Sequence, residues 1–347
     1  MRLASDALAI GRAGIRSVDP GVAVRSLLRR RGRAVEVGDH VLPIGPGGMI
    51  HLVAIGKAAG RMADAARAAV GRPVRGIAVT SAGSPAPRGG LPVLVGGHPV
   101  PDARSHRAGR ALLQYVHSVD PHDVVIFLIS GGGSALAEVP ADGLTVGDVA
   151  ATTRALLGSG APIGPMNVVR RHISQLKGGR LGAALGGVPY ATVALSDVVG
   201  DPPHDIASGP TVPDPTTFAD AARAVDRWGL APELPPRVRH HLREGENGHR
   251  SETVKPGSSA VARAPFVLAA SNRIALEGAA REARRRGYRS WILSSELTGE
   301  TREVARTYAQ ILRSTAGSNR PVRRPFCMLG GGETTVTLGT RPGRGGR

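Results

Sequence analysis

The sequence predicts an α/β protein, with a doubly wound N-terminal domain on a parallel sheet followed by a second, smaller α/β domain. Three observations predict it. Short apolar runs alternate with longer helical stretches, which is the pattern of α/β architecture. The runs are β-branched and apolar on both faces, as strands of a parallel sheet covered by helices must be. The 347 residues, 41% of them hydrophobic, are enough for about two cores.

A helical N-terminal segment ends between Arg25 and Arg33. Strands are expected at 51–55, 76–81, 93–96, 124–130 and 191–196, and the stretches 58–70, 103–119 and 145–157 read as the helices that cover them. Residues 1–244 then form a Rossmann-like sandwich. Residues 245–264 carry Gly, Ser, Asn and mixed charge without periodicity and read as a linker. Strands at 266–270, 290–293 and 326–329 alternate with helices at 273–286 and 300–313, giving a second domain over 265–347. That domain is expected to be incomplete, because the sequence stops at Arg347 in a Gly-rich stretch directly after the strand-like residues 334–338.

Composition narrows the function classes. Lys and Arg total 45 against 27 Asp and Glu, a net charge of +18, and such a balance invites a nucleic-acid reading. That reading is the weaker one. Phe, Tyr and Trp number four, four and two, no zinc-finger or RNP-like pattern occurs, and the arginines are scattered. The longest strongly apolar run, 124–129, is far short of the roughly 18 residues of a membrane-spanning helix. With Cys327 the single cysteine and no leader-like N-terminus, a reducing cytoplasm is the expected setting. Only three cations are lysine, Lys57, Lys177 and Lys255. A compact ammonium is not interchangeable with a guanidinium, so these three draw interest.

Four features stand where a parallel sheet places its chemistry, just beyond the carboxyl ends of strands. Lys57 follows Gly56 after the strand ending at Ile55, where its ammonium could hold an anionic oxygen or lie along the surface. Ser130, Gly131, Gly132, Gly133 and Ser134 follow the 124–129 run, where consecutive amides can turn toward one point as an anion nest or make a tight turn. They match neither G-x-x-x-x-G-K-[ST] nor G-x-G-x-x-G. Residues 165–180 read as a helix. Met166, Val169, Ile173 and Leu176 form its buried stripe, and Asn167, Arg170, Ser174 and Lys177 form a polar stripe beside it, either solvated or facing an anionic ligand. Asp197 and Asp201 follow the 191–196 strand and lead to Ser208 and Gly209. They could hold Mg²⁺ or accept a hydroxyl proton, or serve as turn residues. Cationic side chains, glycine amides and paired aspartates without a covalent nucleophile suit phosphoryl transfer, which needs positioning and charge neutralisation.

At these residues the sequence resembles the bacterial and archaeal glycerate 2-kinase family, whose members have often been labelled hydroxypyruvate reductases. The resemblance runs from about Asp6 to Arg347. It passes through Ala54-Ile55-Gly56-Lys57-Ala58-Ala59, Gly97-His98-Pro99-Val100-Pro101-Asp102, Ile129-Ser130-Gly131-Gly132-Gly133-Ser134-Ala135, residues 167–180, 197–201 and 206–215, Lys255-Pro256-Gly257, and Gly331-Gly332-Glu333-Thr334-Thr335-Val336. It implies two α/β domains with the active site in the cleft between them, and transfer of phosphate from ATP to D-glycerate to give 2-phosphoglycerate, with Mg²⁺. It also implies that Lys57 is the family's active-site lysine and that Arg344 or Arg347 is its C-terminal catalytic arginine. The expected roles follow. Lys57 and the arginine neutralise the transferring group, Gly131 to Ser134 cradle oxygens, Arg170 and Lys177 help hold the anions, and Asp197 orients or deprotonates the 2-hydroxyl with Asp201 nearer Mg²⁺, or the reverse. Ser208, Gly209 and Asn167 complete the expected binding set, and a homodimer is the expected assembly. Two departures stand out: Pro202 occupies a position where the family usually has a second acid, and the family continues past the C-terminal Gly-Arg-rich stretch. The competing readings are an NAD(P)-dependent hydroxypyruvate reductase and a phosphometabolite- or nucleic-acid-binding remnant without kinase activity.

Overall fold

The structure is a computed structural model and describes residues 2–71 and 73–336. Helices α1 (Arg2–Ser17) and α2 (Pro20–Leu27) precede an antiparallel ribbon of β1 (Leu28–Arg31), β2 (Ala34–Val37) and β3 (His40–Pro43). The alternating region follows as β4 (Ile50–Ile55), α3 (Ala59–Val70), β5 (Val74–Ser81), β6 (Val93–Gly96), α4 (Ala103–His117), β7 (Val124–Ile129) and α5 (Gly133–Leu136). Next come α6 (Val146–Gly158), α7 (Ile163–His172), α8 (Arg180–Ala183), β8 (Tyr190–Leu195), α9 (Phe218–Arg227), α10 (Pro236–Glu246) and β9 (Phe266–Ala270). The chain continues through α11 (Asn272–Arg285), β10 (Arg289–Leu297), α12 (Thr301–Ser318) and β11 (Phe326–Gly332). Among the described residues no helix is long and apolar enough to cross a membrane.

The chain divides into two compact units. The larger comprises Pro20–Leu195 and Pro202–Ala269, and the smaller comprises Met1–Asp19, Ser196–Asp201 and Ala270–Arg347. In the larger unit a six-stranded sheet runs β6-β5-β4-β7-β8-β9, with parallel pairing from β6 through β8. Every residue of β4 and β7 is buried, which explains their nearly continuous apolar sequence. His51 is the polar exception in β4, and its ring is satisfied by Asp123 Oδ2 at 2.8 Å and the Tyr115 hydroxyl at 2.7 Å. A second apolar layer gathers Val149, Leu156, Val169, Ile173, Phe218, Val238 and Leu242.

In the smaller unit α1 packs on α11 through small residues. A Cβ on Gly14 would meet the Ala275 carbonyl oxygen at 2.9 Å, and one on Gly278 would meet Ser17 Oγ at 2.3 Å. Asp6 receives the Tyr288 hydroxyl at 2.8 Å and pairs with Arg286, and β10 and β11 pair in parallel.

These units differ from the sequence-derived division at 244 and 264. Close helix packing ties α1 to residues more than 250 positions away, so it leaves the N-terminal domain. Strand β9, expected to open the second domain, is the sixth strand of the first sheet. The expected linker is knitted into the larger unit: Thr253 is buried and donates to Asp214 Oδ2 at 2.9 Å, and Val254 N–H donates to the Gly178 carbonyl at 3.0 Å. The N-terminal helical segment ends at Leu27, within the expected 25–33, and residues 28–43 form the antiparallel ribbon, pinned by Val35 and Val37 buried two positions apart.

Candidate active site

The sheet order fixes where chemistry can sit. After β4 the chain adds β5 and β6 on one side, then crosses to place β7 on the other side of β4. Loops leaving the carboxyl ends of β4 and β7 therefore diverge, and this switch point is the usual ligand crevice of an open α/β sheet. Lys57 follows β4, and Ser130 to Ser134 follow β7.

The two loops are tied together. Lys57 N–H donates to the Gly131 carbonyl at 3.0 Å, and Ala58 N–H donates to Ser130 Oγ at 3.1 Å. Gly56 has φ +129°, and a Cβ there would meet Ser130 Oγ at 2.2 Å, so only glycine fits. Gly132 has φ +86°, and a Cβ on it would lie 3.3 Å from Lys57 Cε and 3.2 Å from His98 Cδ2. The Lys57 side chain thus lies across Gly132. Its ammonium is exposed and makes no hydrogen bond or ion pair to another described residue. The amides of Gly131, Gly132 and Ser134 likewise carry no hydrogen bond to a described residue. A cation and amides that no described residue engages thus gather around one glycine, an arrangement able to hold an anion.

The other lysines differ from Lys57. Lys177 is 2% exposed and paired with Glu138, also 2% exposed. Ser174 Oγ donates to the second Glu138 oxygen at 2.6 Å. Burial lowers the pKa of Lys177, against the attraction of Glu138. Its ammonium is turned inward onto Glu138, beside a small cavity that Ile55, Gly133 and Ala207 also border. The side chain expected to hold anions is thus engaged by a buried carboxylate. Lys255 donates to Thr253 Oγ1 at 2.7 Å and to the Thr216 carbonyl, and it pairs with Glu252 at 3.1 Å.

Residues 165–180 are not one helix. Helix α7 ends at His172, Ile173 turns out of helical geometry at φ −109° and ψ 14°, and Pro140 and Ser174 form an isolated antiparallel bridge. The apolar stripe is buried as expected. The polar one splits: Asn167 and Arg170 stay on α7, while Ser174 and Lys177 lie beyond its end. Asn167 is buried and holds a turn in place. Ser208 Oγ donates to Asn167 Oδ1 at 2.9 Å, Asn167 Nδ2 donates to the Asp205 carbonyl at 3.1 Å, and the Ser208 and Ser134 hydroxyls meet at 2.8 Å. Arg170 is half-buried and reaches Asn167 Oδ1 at 3.4 Å. Burial lowers its pKa, opposed by Glu138.

That turn is strained. Ala207 at φ +52° and Ser208 at φ +60° are left-handed without being glycine, and Gly209 follows at φ +60°. Such residues persist only where surroundings hold them, and they cluster at functional sites. Here Gly178 N–H donates to the Ser208 carbonyl at 3.1 Å and Gly179 N–H to that of Gly209 at 2.7 Å. Below lies Arg171, 1% exposed, bonded to Asp205 Oδ1 at 2.8 Å and 3.0 Å from Asp214 Oδ1. Burial opposes ionisation of Asp214, yet Arg171 and the Thr216 hydroxyl and amide hold its pKa below the usual carboxylate value.

Asp197 and Asp201 belong to the segment Ser196–Asp201, which groups with the smaller unit. Asp197 is exposed and Asp201 half-exposed, the latter at φ +53°. Ser196 does the local turn work, accepting Val198 N–H at 3.2 Å. Neither carboxylate is engaged by another described residue. Arg344 and Arg347 lie outside the described residues.

Comparison with known proteins bears on this geometry. A family model described as a domain of unknown function, DUF4147, matches residues 6–243. The chain is 37% identical over 345 residues to a glycerate 2-kinase of Pyrococcus horikoshii, covering 98% of this chain and 77% of that protein. The chain belongs to the glycerate 2-kinase family. It is also 42% identical over 339 residues to an Agrobacterium vitis protein named putative hydroxypyruvate reductase, covering 96% of this chain and 72% of that one. Among solved structures, a glycerate kinase of Thermotoga maritima superposes with a TM-score of 0.80 at 33% identity, over 99% of this chain and 77% of that one.

The sequence reading missed Glu138 and His98 as site residues. Glu138 is a lone acid in the apolar run 135–139, a signal that could have been weighed. His98 stands two residues beyond β6, and only the fold brings it to Gly132.

Proposed function

We propose that this chain transfers the γ-phosphoryl group of ATP to the 2-hydroxyl of D-glycerate. The observation that carries the reading is the meeting, at the sheet's switch point, of Lys57 with the amides of Gly131, Gly132 and Ser134, none of them engaged by another described residue. Phosphoryl transfer asks for that: donors and positive charge fixed where negative charge develops, without a covalent nucleophile. Lys57 neutralises the transferring group, the amides hold its oxygens, and Arg170 adds charge from the side of α7. The strained turn at Ser208 and Gly209 holds Ser134 through the 2.8 Å hydroxyl contact, which helps fix the loop before substrate binds. Arg344 or Arg347 is assigned the second cationic role by family resemblance.

Mg²⁺ fits the donors present. Among the described residues no three acids, histidines or cysteines form a metal cage, and Mg²⁺ needs none, since it binds through one or two carboxylates, waters and substrate phosphates. Asp197 and Asp201 offer hard oxygen donors that no described residue occupies. When bound, the ion offsets charge on the phosphate oxygens. One of the two aspartates holds it, and the other, Asp197 in our assignment, orients or deprotonates the 2-hydroxyl. D-Glycerate and ATP in the cytoplasm, and a second copy of the chain as macromolecular partner, complete the reading.

A hydroxypyruvate reductase would need a dinucleotide cradle, and the loop after β7 has neither G-x-G-x-x-G nor its following acid. ³¹P NMR of the product formed from D-glycerate, ATP and Mg²⁺ tests the assignment: 2-phosphoglycerate supports it, and 3-phosphoglycerate overturns the position of transfer.

A further inference from the structure

Strand β6 lies at the edge of the sheet, two strands away from β4, yet His98 reaches Gly132. The segment after β6 is folded inward and held at both ends. Gly96 lies so close to α5 that a Cβ would meet the Leu136 carbonyl oxygen at 2.0 Å. Gly97 N–H donates to Ser105 Oγ at 2.9 Å, and Asp102 and Ser105 close a capping box on α4. Between these anchors the His98 side chain stays exposed. A Cβ on Gly132 would lie 3.2 Å from its Cδ2 and 3.3 Å from Lys57 Cε. His98 Cδ2 and Lys57 Cε therefore both lie beside Gly132, no more than about 6.5 Å apart. Two side chains that close can meet neighbouring polar groups of one small molecule.

We infer that His98 binds the carboxylate of the phosphoryl acceptor, while Lys57 serves the neighbouring hydroxyl and the group it receives. The inference rests on the kinase reading above and names how that site selects a 2-hydroxy acid. An ammonium carries full charge toward a phosphoryl group. An imidazole offers a directional N–H donor, which suits a planar carboxylate and leaves the hydroxyl free to react. His98 forms and breaks no covalent bond.

Steady-state kinetics of the full chain and of His98→Ala and His98→Gln, each with a melting curve, test the inference. In His98→Ala the KM for D-glycerate should rise about 10- to 100-fold, as for one lost hydrogen bond to a charged group, with kcat and the KM for ATP within about twofold of wild type. His98→Gln, which keeps an N–H donor, should recover part of that loss. An unchanged KM for D-glycerate in an active enzyme overturns the inference alone. So does a rise confined to the KM for ATP, or a fall in melting temperature with both KM values raised. A wild-type chain that melts cooperatively without phosphorylating D-glycerate overturns the kinase reading, and this inference with it.

Discussion

Lys177→Met should cost the larger unit a large part of its stability. Lys177 and Glu138 are each 2% exposed, and the carboxylate is shared between the ammonium and Ser174 Oγ at 2.6 Å. The variant leaves that carboxylate buried with the Ser174 hydroxyl as its hydrogen-bond donor and Arg170 as the nearby charge, and breaking a buried pair costs about 3–5 kcal/mol. Typical domains have only about 5–15 kcal/mol in total. At roughly 2–4 °C per kcal/mol for a unit of this size, the expected fall in Tm is about 6–20 °C. Glu138→Gln acts in the same direction, since it removes the negative charge that offsets burial of the Lys177 ammonium, and burial then favours the neutral amine. The double variant Glu138→Leu, Lys177→Met replaces both charges with apolar groups of similar volume, an exchange that is often neutral or stabilising. Urea unfolding of the four proteins by circular dichroism closes the cycle, and the double variant should also keep turnover close to wild type. Single variants within about 1 kcal/mol of wild type, or a double variant less stable than either single one, would refute the coupling of this buried pair.

Lys57→Ala should reduce kcat/KM by about 10²- to 10³-fold, the worth of one transition-state donor, and leave Tm unchanged because the side chain is exposed and paired with no other described residue. A falling Tm or an unaffected rate contradicts its assignment. Gly132→Ala puts a Cβ at φ +86° between Lys57 and His98, so it should cost about 1–2 kcal/mol of stability and most of the activity; full activity would show that the side chains do not converge there. Burial lowers the pKa of His172 and His241. The unfolded chain takes up protons on them below about pH 6.5 where the folded chain resists, so stability present above that pH is lost as pH falls. Tm should therefore decline from about pH 7 to 5, and a flat or rising Tm over that range counts against it.

The central strands were legible because a strand buried on both faces is written almost wholly in apolar residues: β4, with His51 its one polar residue, and β7 are plain in the sequence. The glycine loop was legible for a related reason, since residues placed after such a strand fall at the carboxyl end of the sheet. Spacing misled at residues 165–180. The recurrence of polar residues every three or four positions continues past His172, but Ser174 and Lys177 keep it by leaving the helix and turning toward Glu138, 36 and 39 positions away. Contacts of that separation have no local signature. The same holds for Ala207 and Ser208, whose left-handed geometry is imposed by Gly178 and Gly179, and for α1, whose small-residue face matches α11 only once both are folded. Side-chain type told more than spacing: scarcity set the three lysines apart, and the structure separates them by partner, leaving Lys57 alone unengaged among the described residues.

The most direct test is a coupled assay for ADP release from ATP, Mg²⁺ and D-glycerate, run on the full chain and on Lys57→Ala. Glycerate-dependent ADP release by the full chain that disappears in the variant is the predicted result. Folded wild-type protein that releases no ADP, or a variant that turns over as fast as wild type, would contradict the assignment of the site around Lys57 and Gly132.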